Sequence, residues 1–167
     1  MTAPVLVLVG PPGAGKTTVG HLAAERLGVD FRDTDHDIEQ LAGKPIPDIF
    51  FDHGEDAFRA LERDAVRRGL ADHAGVLSLG GGAVLSPETR ELLKAHRVVF
   101  LAVGLAAATK RVGMSAARPV LSINPRAQLA LLLEQRLPLY REVASAEVLT
   151  DGKTPEQVLD DVLAALA

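Results

Sequence analysis

The stretch Gly10-Pro11-Pro12-Gly13-Ala14-Gly15-Lys16-Thr17 decides how this chain is read. It fits the pattern G-x-x-x-x-G-K-S/T at every position, and its flanks fit as well. Before it, residues 4–9 read PVLVLV, apolar throughout and too short for a helix. That predicts a strand covered on both faces, as in a parallel sheet. After it, Val19, Leu22, Ala23 and Leu27 have helical spacing, and Gly28 is a natural stop. Glycines in such a loop let backbone N–H groups turn inward around phosphate, where a side chain would block them. The helix that follows adds its positive N-terminal end. Gly13, Ala14, Gly15, Lys16, Thr17 and Thr18 are thus the expected nucleotide-binding run, with Lys16 reaching the β- and γ-phosphates and the Thr17 hydroxyl available to Mg²⁺. The motif names a nucleotide and leaves the reaction open, because switches, motors and kinases all carry it.

Working outward, apolar strands recur at residues 76–79 and 98–103, and further short strands are read at 29–33 and near 147–149, with helical patterns between. Residues 35–70 read as helical, with breaks at 43–47 and near Gly54. Ser86-Pro87-Glu88 starts a helix with a cap residue and a proline in the first turn. Thr154-Pro155-Glu156-Gln157 supplies a capping box for the last helix. Residues 112–125 show no period and read as a mobile loop. Strands alternating with helices predict an α/β chain in three layers, around a five-stranded, mainly parallel sheet, as one domain over residues 1–167.

Composition narrows the function classes. The chain of 167 residues has 47% hydrophobic and 24% charged residues, and a net charge of −4. That balance argues against a general nucleic-acid binder, whose footprint is basic. No apolar run reaches the roughly 20 residues of a membrane span, and no secretory leader is expected. The absence of cysteine removes disulfide and thiolate chemistry and fits a cytoplasmic protein. The five histidines, His21, His36, His53, His73 and His96, lack metal-ligand spacing.

Three further features admit two readings each. Asp33, Asp35 and Asp37 alternate where the second strand leaves the sheet, the usual ligand side of open α/β folds. They serve either a metal and a substrate hydroxyl, or a helix cap and its first turn; a calcium loop is excluded, since Ile38 stands where glycine is required. Gly80, Gly81 and Gly82 follow a buried strand, and make either a bare-backbone approach to a ligand or a tight turn. Arg59 and Arg136 suit a carboxylate, which guanidinium pairs with in a fixed two-bond geometry. Either one also suits a solvated helix face, Arg59 paired with Glu55 or Glu62.

Taken in order along the chain, these segments resemble one family, the shikimate kinases. The likeness rests on the glycine loop, Asp33-Thr34-Asp35, Ile46-Pro47-Asp48-Ile49-Phe50, Gly54-Glu55-Asp56-Ala57-Phe58-Arg59 with Glu62, and Leu77-Ser78-Leu79-Gly80-Gly81-Gly82-Ala83. Arg118-Pro119-Val120-Leu121 and Arg136-Leu137-Pro138-Leu139-Tyr140 complete it. The resemblance implies a P-loop kinase fold with a helical substrate-binding insertion over about residues 33–62 and a mobile lid over about 112–124. It implies ATP-dependent phosphorylation of the 3-hydroxyl of shikimate, on the route to chorismate and the aromatic amino acids. By that likeness Asp35 orients the substrate hydroxyl, Arg59 and Arg136 hold its carboxylate, and the Gly81 N–H meets it between Gly80 and Gly82. Asp33 and Thr17 serve Mg²⁺, and Phe50 and Phe58 wall the pocket. Arg118 brings positive charge from the lid to the γ-phosphate, while Arg111, Lys153 and Pro155 lie at the adenine. The family also implies a monomer. The lid sequence Val112-Gly113-Met114-Ser115-Ala116-Ala117 is unusual, and Lys153 stands where arginine is common. The rival readings are a kinase of gluconate or a nucleoside monophosphate, and a nucleotide-dependent switch.

Overall fold

A computed structural model describes residues 2–113 and 125–167. Five strands form one sheet: β1 (Leu6–Val9), β2 (Phe31–Asp33), β3 (Val76–Ser78), β4 (Val98–Ala102) and β5 (Ala146–Leu149), in the order β2-β3-β1-β4-β5. Every pairing is parallel, which sharpens the expected mainly parallel sheet. The central strand β1 sets Leu6 opposite Val76 on one side and Val7 opposite Val98 on the other. Because side chains alternate along a strand, β1 feeds two cores. Val7 and Val9 enter one layer, with Val66, Leu70, Leu93 and Tyr140; Leu6 and Leu8 enter the other, with Val19, Ala23, Val158 and Val162.

Those layers are made by α4 (Glu55–Asp72), α5 (Pro87–Leu93) and α7 (Pro125–Val143) on one face, and by α1 (Lys16–Leu27) and α8 (Pro155–Leu166) on the other. Between β2 and α4 lie α2 (Thr34–Ala42) and α3 (Ile46–His53). They close on α4 around Ile38, Ile49, Phe58 and Ala65, a small core separate from the sheet. The expected breaks near 43–47 and Gly54 therefore divide three helices. Both caps read from sequence are made: Ser86 Oγ accepts from the Thr89 N–H, and Thr154 and Gln157 form a reciprocal capping box. One boundary differs. The helix α6 (Leu105–Gly113) continues through Val112 and Gly113, where the sequence suggested irregular chain, and α7 already begins at Pro125. The remainder of the expected lid lies outside the described residues. Among the described residues no helix is long and apolar enough to cross a membrane.

Candidate active site

Strand order brings the chemistry together. Since β2, β3 and β1 are neighbours and parallel, the segments leaving their carboxyl ends lie side by side: Asp33 to Asp35, the glycine turn 80–82, and the phosphate loop. This is the crevice where open α/β sheets bind ligands.

In the phosphate loop, Gly15 is the residue before α1 and adopts φ 90°, a left-handed conformation that favours glycine. Gly10 is needed for space: a Cβ there would stand 2.6 Å from the Leu101 carbonyl oxygen. Lys16 Nζ donates to the carbonyls of Gly10 at 2.7 Å and Pro11 at 3.1 Å, so the amine is held over the loop. Thr17 and Thr18 are exposed on the first turn of α1.

The three aspartates separate into different jobs because α2 starts at Thr34. Successive residues then turn about 100° around a helix and no longer alternate across a strand. Asp33 caps that helix, its carboxylate accepting from the Asp35 N–H at 2.9 Å. Asp37 pairs with Arg32 at 2.6 Å. Asp35 faces the glycine turn: a Cβ on Gly80 would stand 2.5 Å from its Oδ1. The cap is thus made by Asp33 and the charge pairing by Asp37, while Asp35 borders the glycine turn.

Each glycine of the turn leaves room for a different part. Gly80 borders Asp35, a Cβ on Gly81 would stand 3.0 Å from Pro12 Cδ of the phosphate loop, and one on Gly82 would run into the Arg59 guanidinium. The turn is pinned from outside by two residues whose roles the motifs do not reveal. Buried Thr34 accepts the Gly80 N–H through Oγ1 at 3.2 Å, and the Tyr140 hydroxyl donates to the Gly81 carbonyl at 2.6 Å.

The ion pairing expected of Arg59 is made. It pairs with Glu62 at 2.8 Å and Glu55 at 3.4 Å, yet it also packs on Gly82. Glu62 is 3% exposed; burial pushes its carboxyl above the usual range, and the neighbouring Arg59 partly offsets that. Arg136 is no solvated-face residue: it is 8% exposed, and close enough to Tyr140 and Glu62 to act on their charge. Phe58 is buried and Phe50 half-buried, in contact at 4.8 Å between ring centres within the small helical core. A cleft of about 460 Å³ borders Arg59, Glu62 and Gly82 on the side of Ser86. No residue of the phosphate loop lines it, so transfer chemistry is not placed there.

Farther along the sheet, Asp151 accepts the Gly104 N–H at 3.0 and 3.1 Å, tying the loop after β5 to the loop after β4. Lys153 pairs with Asp161 at 2.7 Å, and Pro155 opens α8. Arg111 lies on α6, but its side chain, like the whole of Arg118, is outside what the structure describes. Among the described residues, no three His, Cys, Asp or Glu side chains gather as a metal site. Mg²⁺ suits such a setting, because it commonly takes one or two protein oxygens and completes its shell with phosphate and water. The Thr17 hydroxyl and the Asp33 carboxylate are oxygen donors of that kind.

The sheet order, the glycine loop and the helices on both faces define a chain of the P-loop kinase fold. A family model described as shikimate kinase matches residues 12–167. The shikimate kinase of Salinispora arenicola is 61% identical over 165 residues, 99% of each chain. That of Salinispora tropica is 62% identical over 164 residues, 98% of each chain. Among solved structures, the shikimate kinase from Acinetobacter baumannii in complex with shikimate superposes with a TM-score of 0.92 at 39% identity, covering 98% of this chain and 92% of that one. The chain belongs to the shikimate kinase family.

Proposed function

We propose that the protein is a shikimate kinase, transferring the γ-phosphoryl group of ATP to the 3-hydroxyl of shikimate to give shikimate 3-phosphate and ADP. The observation that carries the substrate assignment is the glycine turn: its three residues leave room for Asp35, for the phosphate loop and for Arg59. An acceptor seated there lies between an orienting carboxylate, the transferable phosphate and a guanidinium, and Arg136 stands behind the same turn through Tyr140.

In this reading Gly13, Ala14, Gly15, Thr17 and Thr18 wrap the ATP phosphates, and Lys16 exchanges the carbonyls of Gly10 and Pro11 for phosphate oxygens. Arg111, Lys153 and Pro155 flank the adenine. Thr17 and Asp33 would hold Mg²⁺, which when bound neutralises charge between the β- and γ-phosphates. Arg59 and Arg136 fix the shikimate carboxylate, Gly80, Gly81 and Gly82 offer bare backbone, and Asp35 accepts a hydrogen bond from the 3-hydroxyl and aligns it. Phosphoryl transfer passes through a loose transition state, so alignment and charge stabilisation matter more than early deprotonation. Arg118 adds charge from the lid, whose closure excludes water that would otherwise take the phosphoryl group. The protein is read as one kinase domain with an insertion over residues 33–62 and a lid over 112–124, working as a cytoplasmic monomer without nucleic-acid or membrane partners.

The test is turnover of ATP with shikimate, gluconate and a nucleoside monophosphate as competing acceptors. A kcat/KM highest for shikimate is expected. A preference for either other acceptor, or hydrolysis indifferent to all three, overturns the assignment.

A further inference from the structure

Tyr140 is the chain's one tyrosine, and the chain has no tryptophan. It is 1% exposed, on α7 one turn after Arg136, with its ring stacked on Phe100 of β4 at 4.9 Å. For packing alone, a phenylalanine would serve. The hydroxyl is what distinguishes this side chain: it donates to the Gly81 carbonyl at 2.6 Å, and the Arg136 guanidinium lies near enough to act on its charge. A carbonyl only accepts, and a buried phenol can supply the donor that phenylalanine lacks. The outer end of the turn is held separately, by Thr34 on the Gly80 N–H. Tyr140 therefore holds one group that the functional reading puts on the substrate, the Gly81 backbone, from the helix that carries a second, Arg136. Burial pushes its phenol up to about 12, so the donor stays protonated through the neutral range.

We propose that Tyr140 is a positioning residue for shikimate, holding the Gly81 backbone from the helix that carries Arg136, so that the carboxylate clamp and the glycine turn keep one fixed spacing. It acts through Gly81 and touches no reacting atom. The proposal rests on the shikimate reading of those two groups.

The experiment compares the full-length wild type with Tyr140→Phe, Arg136→Ala, the double variant, and Phe100→Leu. Tyr140→Phe keeps the ring and removes the hydrogen bond to Gly81; the KM for shikimate should rise about tenfold, with kcat and the KM for ATP within about twofold. On the Arg136→Ala background the same substitution should add little, the non-additivity expected of residues acting as one unit. Phe100→Leu loosens the same packing and should lower Tm without moving the KM for shikimate. The single tyrosine also reports directly in the wild type: its near-ultraviolet circular dichroism should change as shikimate saturates the site, and this response should shrink in Arg136→Ala. An unchanged shikimate KM in Tyr140→Phe, or full additivity with Arg136→Ala, overturns the proposal. Should Tyr140→Phe fail to fold, a wild-type tyrosine signal indifferent to shikimate overturns it alone. A wild type that turns over shikimate while these readouts stay flat defeats only the positioning role; one that does not use shikimate defeats the functional reading on which the role rests.

Discussion

Gly82→Ala separates the site from the fold with one methyl group. Gly82 has φ −99° and ψ 4°, a backbone that alanine adopts without strain. The new Cβ would stand 2.8 Å from Arg59 Cζ and nearer still to Nη1, with no other residue among its three closest atoms. Ordinary contact begins at 3.4 Å, so Cζ must withdraw by at least 0.6 Å, the difference between those distances, and Nη1 by more. A guanidinium at the end of a flexible chain makes that move cheaply, so the fold should survive with little change in Tm. Binding has no such freedom. A hydrogen bond to a charged group is worth about 1.5–3 kcal/mol, and loss of one well-placed bond at the low end of that range is about tenfold in affinity. We therefore expect the KM for shikimate to rise about tenfold or more, with the KM for ATP unchanged, measured by ADP release at varied shikimate and checked by calorimetric titration. A variant with normal melting and a normal shikimate KM would refute the placement of Arg59 at the substrate.

Two further outcomes follow from particular contacts. The Glu62 carboxyl is raised above its ordinary value of 4.5, first by burial. Its contribution to stability is therefore full below that pH and lost as pH rises through the higher folded value. The stability of wild type relative to Glu62→Gln, from urea unfolding, should fall as pH climbs above 4.5 and then level off; a flat difference contradicts the burial argument. Thr154→Ala removes the capping box of α8 and should cost about 1 kcal/mol, lowering Tm by about 2–4 °C; an unchanged Tm would show that the box is not holding the helix.

How much was legible beforehand depended on sequence distance. β1 and β4 announce themselves as uninterrupted apolar runs, and β3 as one broken only by Ser78, because a central parallel strand is covered on both faces. The caps at Ser86 and Thr154 are local chemistry, complete within four residues, and both were readable. The site was legible only as separate pieces. By spacing alone three alternating aspartates looked equivalent, and only the family likeness told Asp35 from Asp33; the start of α2 at Thr34 turns Asp37 toward Arg32 and sets Asp35 beside the glycine turn. Arg59 was weighed as either paired or functional, and its pair with buried Glu62 sets it beside the glycine turn, so pairing does not rule out the proposed role. The contact of Tyr140 with Gly81 joins residues 59 apart, and no local pattern encodes it. The signal that existed was weak: a lone tyrosine one turn after a motif arginine. At Gly113 the sequence misled, since glycine and a broken period suggested loop, while helical hydrogen bonding continued to that residue.

The most direct test of the account is the position of the transferred phosphate. The purified protein would be incubated with ATP, Mg²⁺ and shikimate, and the product analysed by phosphorus–proton correlation NMR. A single product whose phosphorus couples to the proton on carbon 3, formed in step with ADP, is the predicted result. Phosphate on another hydroxyl, or inorganic phosphate released while shikimate remains intact, would contradict the central claim that Asp35, the arginines and the glycine turn present the 3-hydroxyl to the phosphate loop.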